Sequence, residues 1–124
     1  MVKPGPNGEI VNHYEFAEEE RVPEDTAHNT TIRWLLSNKR DGVPTFAMRM
    51  FRVKPGGYIK AHKHPWEHEI FVLEGVGEIR IGDVVYRVSR GFYIYIPPNV
   101  EHEYRNRGDK DLVFLCMIPV TGEK

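Results

Sequence analysis

The 124-residue chain has a single cysteine, Cys116, and that scarcity excludes an internal disulfide framework and any all-thiolate zinc site. A reducing, cytoplasmic setting fits it. No run approaches the roughly 20 apolar residues of a membrane span, and the opening MVKPGPNGEIVNHYEF lacks the continuous apolar stretch of a signal peptide. Neither sign of charge is in excess. Lys plus Arg number 17 against 18 Asp plus Glu, a formal charge of −1, so no basic field invites nucleic acid or an anionic membrane. Helical periodicity of useful length is missing too. The expectation is one soluble domain, burying roughly two-thirds of the surface its unfolded chain would expose.

What is present is β texture. Residues 1–29, rich in Pro, Gly, Asn and acids, read as an N-terminal arm, either a solvated extension or an ordered edge strand or dimer contact, with 10–16 as its candidate strand. His13 and His28 sit there without ligand spacing and read as surface residues. Residues 30–124 read as the domain. Short β-branched and aromatic runs at 30–36, 45–53, 58–61, 67–74, 78–81, 84–88, 92–96, 101–107 and 112–118 are separated by turn residues. The segment 38–44 reads as a turn, Pro55-Gly56-Gly57 as a strand break, and Gly82-Asp83 as a hairpin turn. Apolar residues on both faces of 92–96 require cover on both, a sheet layer on one and a partner subunit as the candidate for the other. The fold class is all-β, with about nine or ten strands closed as a barrel or jelly roll.

The stretch HKHPWEHEIFVLEG, from His62 to Gly75, carries the chemistry. It holds three of the six histidines within seven residues. Alternate residues of a strand share a side, so His62 and His64 project together, and His68 keeps their parity if the extended backbone persists past Pro65. Each imidazole has a ring N–H and a lone pair to satisfy, and burying three is costly unless polar partners or a divalent ion answer them.

These residues resemble the cupin superfamily, whose first motif reads G-x5-H-x-H-x3,4-E-x6-G and whose second reads G-x5-P-x-G-x2-H-x3-N. Gly56, His62, His64 and Gly75 fall in register with the first, and His68 occupies the slot that is usually glutamate. Glu69 competes for that slot, but only His68 has six residues before Gly75 and the parity of His64. Gly91, Pro97, His102 and Asn106 match the second motif, with Asn99 in place of its glycine. Asparagine tolerates positive φ, so the turn survives. The segment HPWEHEIFVLEG and the late FLCMIP resemble small homodimeric cupins in which four histidines bind manganese. That resemblance implies His62, His64, His68 and His102 as the metal ligands, manganese as the ion and a homodimer as the assembly. Imidazole itself suits iron, nickel, copper or zinc equally.

Four neutral imidazoles leave a divalent ion its full charge, with positions open to an anionic or oxygen ligand. Candidate walls of the pocket are Phe46, Met48, Met50, Ile59, Trp66, Phe114, Cys116 and Ile118; Cys116 also reads as a small buried hydrophobe. Arg49, the one cation in an otherwise apolar strand, is a candidate for a substrate carboxylate or for an ordinary ion pair. No general base stands out, so the catalytic residues are left unassigned. The function expected is a metal-dependent oxidoreductase, dioxygenase-like, acting on a small organic molecule. A non-catalytic metal-containing ligand binder or sensor is the alternative, and a sugar isomerase-type cupin a further one.

Overall fold

Alternation of inward and outward side chains builds one sheet curled about a buried core in the computed structural model, which describes residues 3–123. Nine strands occur among those residues: β1 (Glu19–Arg21), β2 (Ala27–Leu36), β3 (Phe46–His62), β4 (His68–Glu74), β5 (Val76–Ile81), β6 (Val84–Ser89), β7 (Tyr93–Ile96), β8 (His102–Asn106) and β9 (Leu112–Pro119). The sheet runs β6-β5-β8-β3-β9-β4-β7, with β2 on β3 and β1 on β2. All these pairings are antiparallel.

Strand β3 is the spine. Its first half, from Phe46 to Val53, pairs with β9 and its second half, from Tyr58 to His62, with β8. The expected break at Pro55-Gly56-Gly57 is instead a bulge within one long strand. Gly56 takes the left-handed φ of 80° that turns the chain there, and a Cβ on Gly57 would meet the His28 carbonyl oxygen at 2.7 Å. The change of partner at this bulge lets one strand carry both Arg49 and His62.

Two other expectations are corrected. Residues 10–16 form no strand: Tyr14–Phe16 is a single 3-10 turn capped by the His13 ring, which accepts from the Glu15 amide, and β1 lies further along. Within 38–44, Asn38–Asp41 is a short α-helix, N-capped by Ser37 and ended by Gly42 at φ 76°. Strand β7 is covered by its own chain on one face: Ile96 is buried, while Tyr93 and Tyr95, on the face for which a partner subunit is the expected cover, are 83% and 52% exposed. Asn99 does adopt positive φ, 64°.

The core alternates as the sequence requires. From β9, Phe114, Cys116 and Ile118 point inward, to meet Val53, Ile70 and Ile79. Phe114 stacks between Phe51 and Tyr104, with centroids 5.4 and 5.1 Å away. At the end of the chain Gly122 packs against the Trp66 indole, and the Glu123 carboxylate accepts from the Asn38 and Lys39 amides. Among the described residues no helix is long and apolar enough to cross a membrane.

Candidate functional site

Four elements deliver the histidines to one place. His62 ends β3, His64 follows in the bend, His68 opens β4 and His102 opens β8, paired in register with His62. Their ring centroids lie 4.7 Å apart for His62–His64, 4.4 Å for His62–His102, 4.9 Å for His68–His102, 5.3 Å for His64–His68 and 6.2 Å for His64–His102. The Asn99 amide donates to the His64 carbonyl at 2.6 Å, which ties the β7–β8 turn to the histidine bend. His68 is buried and Glu69 is exposed, so the residue in the glutamate slot faces the interior as parity requires.

The rings are held from behind. The His62 Nδ1 lies 2.7 Å from the Lys60 carbonyl and the His102 Nδ1 2.9 Å from that of Val100. A carbonyl only accepts, so each Nδ1 carries the proton and each Nε2 keeps its lone pair in the neutral ring. His68 Nδ1 sits 3.3 Å from Cys116 Sγ. The Nε2 atoms of His68 and His102 are buried without a hydrogen-bond partner. Burial pushes the His68 imidazole down to about 3, with the Arg49 charge and the other histidines adding to it. Burial also lowers His102. No three His, Cys, Asp or Glu side chains among the described residues stand as a ready-made ion site; the histidines are linked by ring-to-ring contact.

A cavity of about 380 Å³ opens beside them. Of the expected wall residues, Ile59 and Cys116 line it, and Arg49 does so as well. Trp66 stays outside and stacks on His64, 4.5 Å between centroids at 5°. Phe114 and Ile118 lie in the core behind the cavity. Phe46, Met48 and Met50 are on the opposite face of β3: Phe46 is exposed, Met48 lines separate surface depressions, and Met50 is buried apart from the core. Alternation divides β3 into two sets, and the set with Arg49 and Phe51 is the inward one.

Sequence reasoning missed eight of the cavity's contributors. Tyr104 and Phe51 follow His102 and Arg49 by two residues, a signal that period 2 offers. Tyr104 is fully buried, and that burial holds its phenol well above the usual value, hence protonated. Val22 and Pro23 come from the segment after β1, which folds across the mouth with Glu20, Arg21 and Thr26. Nothing in that stretch marks it as a wall. The acids next to the ligand positions turn away: Glu103 pairs with Arg80 at 2.7 Å, and Glu67 bonds the Tyr95 phenol.

Residues 49–118 match the family model described as the cupin domain. The chain belongs to the cupin family. This cupin is 33% identical over 96 residues to Protein SchB of Streptomyces halstedii, covering 75% of its own length and 70% of that protein. It is 32% identical over 80 residues to the 1-methylthio-D-xylulose 5-phosphate methylsulfurylase of Rhodospirillum rubrum, covering 64% of its own length. There it spans about half of the relative, 51%. Among solved structures, the polyketide cyclase RemF from Streptomyces resistomycificus superposes with a TM-score of 0.83 at 32% identity, over 90% of this cupin and 80% of that chain.

Proposed function

We propose that this cupin is an enzyme that holds one divalent transition-metal ion on His62, His64, His68 and His102 and acts on a small oxygen-bearing organic molecule in the adjoining cavity. The observation that carries the reading is the pair of partnerless, buried Nε2 atoms on His68 and His102. Buried polar atoms find partners almost without exception, and an ion would answer both lone pairs at once. Ring spacing agrees with the donor set. Imidazoles bound at about 2.1 Å have centroids about 3.2 Å from the ion, hence about 4.5 Å apart at right angles and somewhat over 6 Å when opposed. The ring separations cluster at 4.4–5.3 Å, with one of 6.2 Å. Manganese comes from the motif resemblance, while iron, nickel, copper and zinc suit the same ligands.

Bound there, the ion would supply Lewis-acid polarisation of the substrate's oxygens. The chain's own residues do the rest. The carbonyls of Lys60 and Val100 fix the ring tautomers, and Ile32, Phe51 and Ile59 keep water from the reacting face. Tyr104, held protonated, is the acid best situated to donate toward a developing oxyanion. Likeness to RemF supports ring-closing chemistry on a poly-carbonyl chain ahead of the dioxygenase-like oxidation expected from the sequence. A sugar phosphate fits less well, because the second cation at the cavity, Arg21, is engaged by Glu24 at 3.2 Å.

Elemental analysis of the protein as purified, and after incubation with manganese, iron, nickel, copper and zinc salts, tests the reading. About one ion per chain is expected. Failure to retain any of them overturns it. Oxygen uptake during turnover of a poly-β-carbonyl acid then separates oxidation from ring closure.

A further inference from the structure

We infer that Arg49 is an anion-binding residue and that the molecule the cavity takes is a monocarboxylate with an apolar body. The inference rests on the cavity being a substrate site, as proposed above, and deepens it by naming the class of substrate.

Arg49 lies on β3 opposite Cys116 of β9 and Trp34 of β2. Its guanidinium sits 5.6 Å over the Trp34 ring and 5.0 Å over Phe51, and Nη2 donates to Cys116 Sγ at 2.9 Å. Its Nε is buried and has no partner. No ion pair among the described residues includes it. A guanidinium does not shed its proton, so a half-buried charge stays at the cavity wall with its buried Nε edge unmatched. The two aromatic faces and a sulfur answer it in part. An anion brought in from outside would complete it.

The geometry narrows the anion. A planar fork with a free Nε edge matches a carboxylate, which takes two parallel N–H donors. A phosphate dianion calls for further cations, and Arg21 is already paired with Glu24. Ile32, Phe51, Ile59, Val22 and Pro23 give an apolar lining to much of the cavity, whose whole volume of about 380 Å³ is enough for one or two rings. The carboxylate would lie against Arg49, with the rest of the molecule extending toward the histidines.

Calorimetric titration of the purified protein with 2-naphthoate and with 2-naphthamide tests this. The acid should bind at least about tenfold more tightly, and Arg49→Met should erase the difference. Arg49→Lys, keeping charge and losing the fork, should retain only part of it. Absence of acid binding, equal affinities in the wild type, or a preference undiminished in Arg49→Met overturns the inference. Should that undiminished preference vanish when a chelator strips the ion, the carboxylate is held by the metal, and the metal reading stands while this one falls. An Arg49-dependent preference in a protein that takes up no ion has the opposite meaning. Where Arg49→Met does not fold, the wild-type Arg49 Nε–H resonance decides: it should move downfield with saturating naphthoate and stay in place with naphthamide, and an unmoved resonance overturns the inference.

Discussion

The two sides of the β3–β8–β5 wall treat positive charge in opposite ways. Outside, Arg80 reaches Glu103 at 2.7 Å and Glu101 at 3.1 Å, Arg107 reaches Glu78 at 2.8 Å, and Arg52 reaches Asp111 at 3.0 Å. Inside, the Arg49 Nε and the Nε2 atoms of His68 and His102 are buried without a hydrogen-bond partner. Arg49 and Arg52 stand three residues apart on one strand. Water screens the outer pairs, so each contributes little, whereas the inner groups keep their full electrostatic effect. A fold that pairs cations so readily on one side and leaves them open on the other marks the open side as the working one.

That contrast can be broken at its strongest point first. His68→Ala should reduce bound metal at least about tenfold by elemental analysis, since one of two partnerless buried donors is lost, while Glu69→Ala leaves the content unchanged. Equal losses would remove the distinction between the inward residue and its outward neighbour. Next is acid stability of the chelator-treated protein. The folded His68 takes up a proton only near pH 3, its unfolded counterpart near 6.5, and His102 is shifted the same way. The unfolded state therefore binds more protons between those values. Stability is fully present above about pH 6.5 and drains as pH falls toward about 3, by about 1.4 kcal/mol per unit for His68. Urea unfolding at pH 7, 5 and 4 measures it, and a flat profile would mean the ring is not buried neutral.

Smaller effects follow. Cys116→Ala leaves the Arg49 Nη2 and His68 Nδ1 without their shared sulfur and opens a void, so a loss of about 2 kcal/mol is expected in thermal or urea unfolding. Asp111→Asn, on the outer side, should cost about 0.5 kcal/mol and lose most of that in molar salt. If the outer substitution proved as damaging as the inner one, the contrast would be one of packing and not of charge.

Much of the fold was legible because the strands alternate and their turns carry glycine, proline and asparagine. Parity alone joined His62, His64 and His68, and the second motif added His102. Other features escaped because alternation divides a strand into two faces without saying which is inner. Both faces of β3 are apolar, so Phe46, Met48 and Met50 read as walls when the cation in the other set was the better guide. An arginine with a buried, unmatched Nε edge needs an occupant, and a surface one would have had an acid. The segment after β1 escaped for a different reason. Its contact with the cavity depends on how β1 lies against β2, a long-range pairing that local composition does not encode.

Gly122 packs beneath the Trp66 indole, and the indole in turn lies flat on His64. An added methyl at 122 would meet the indole atoms at 2.8–2.9 Å, so the stack would have to shift. During synthesis all four histidines leave the ribosome before this turn does. The wall behind one of them is built from residues made later, and the order of translation separates having the histidines from having His64 braced.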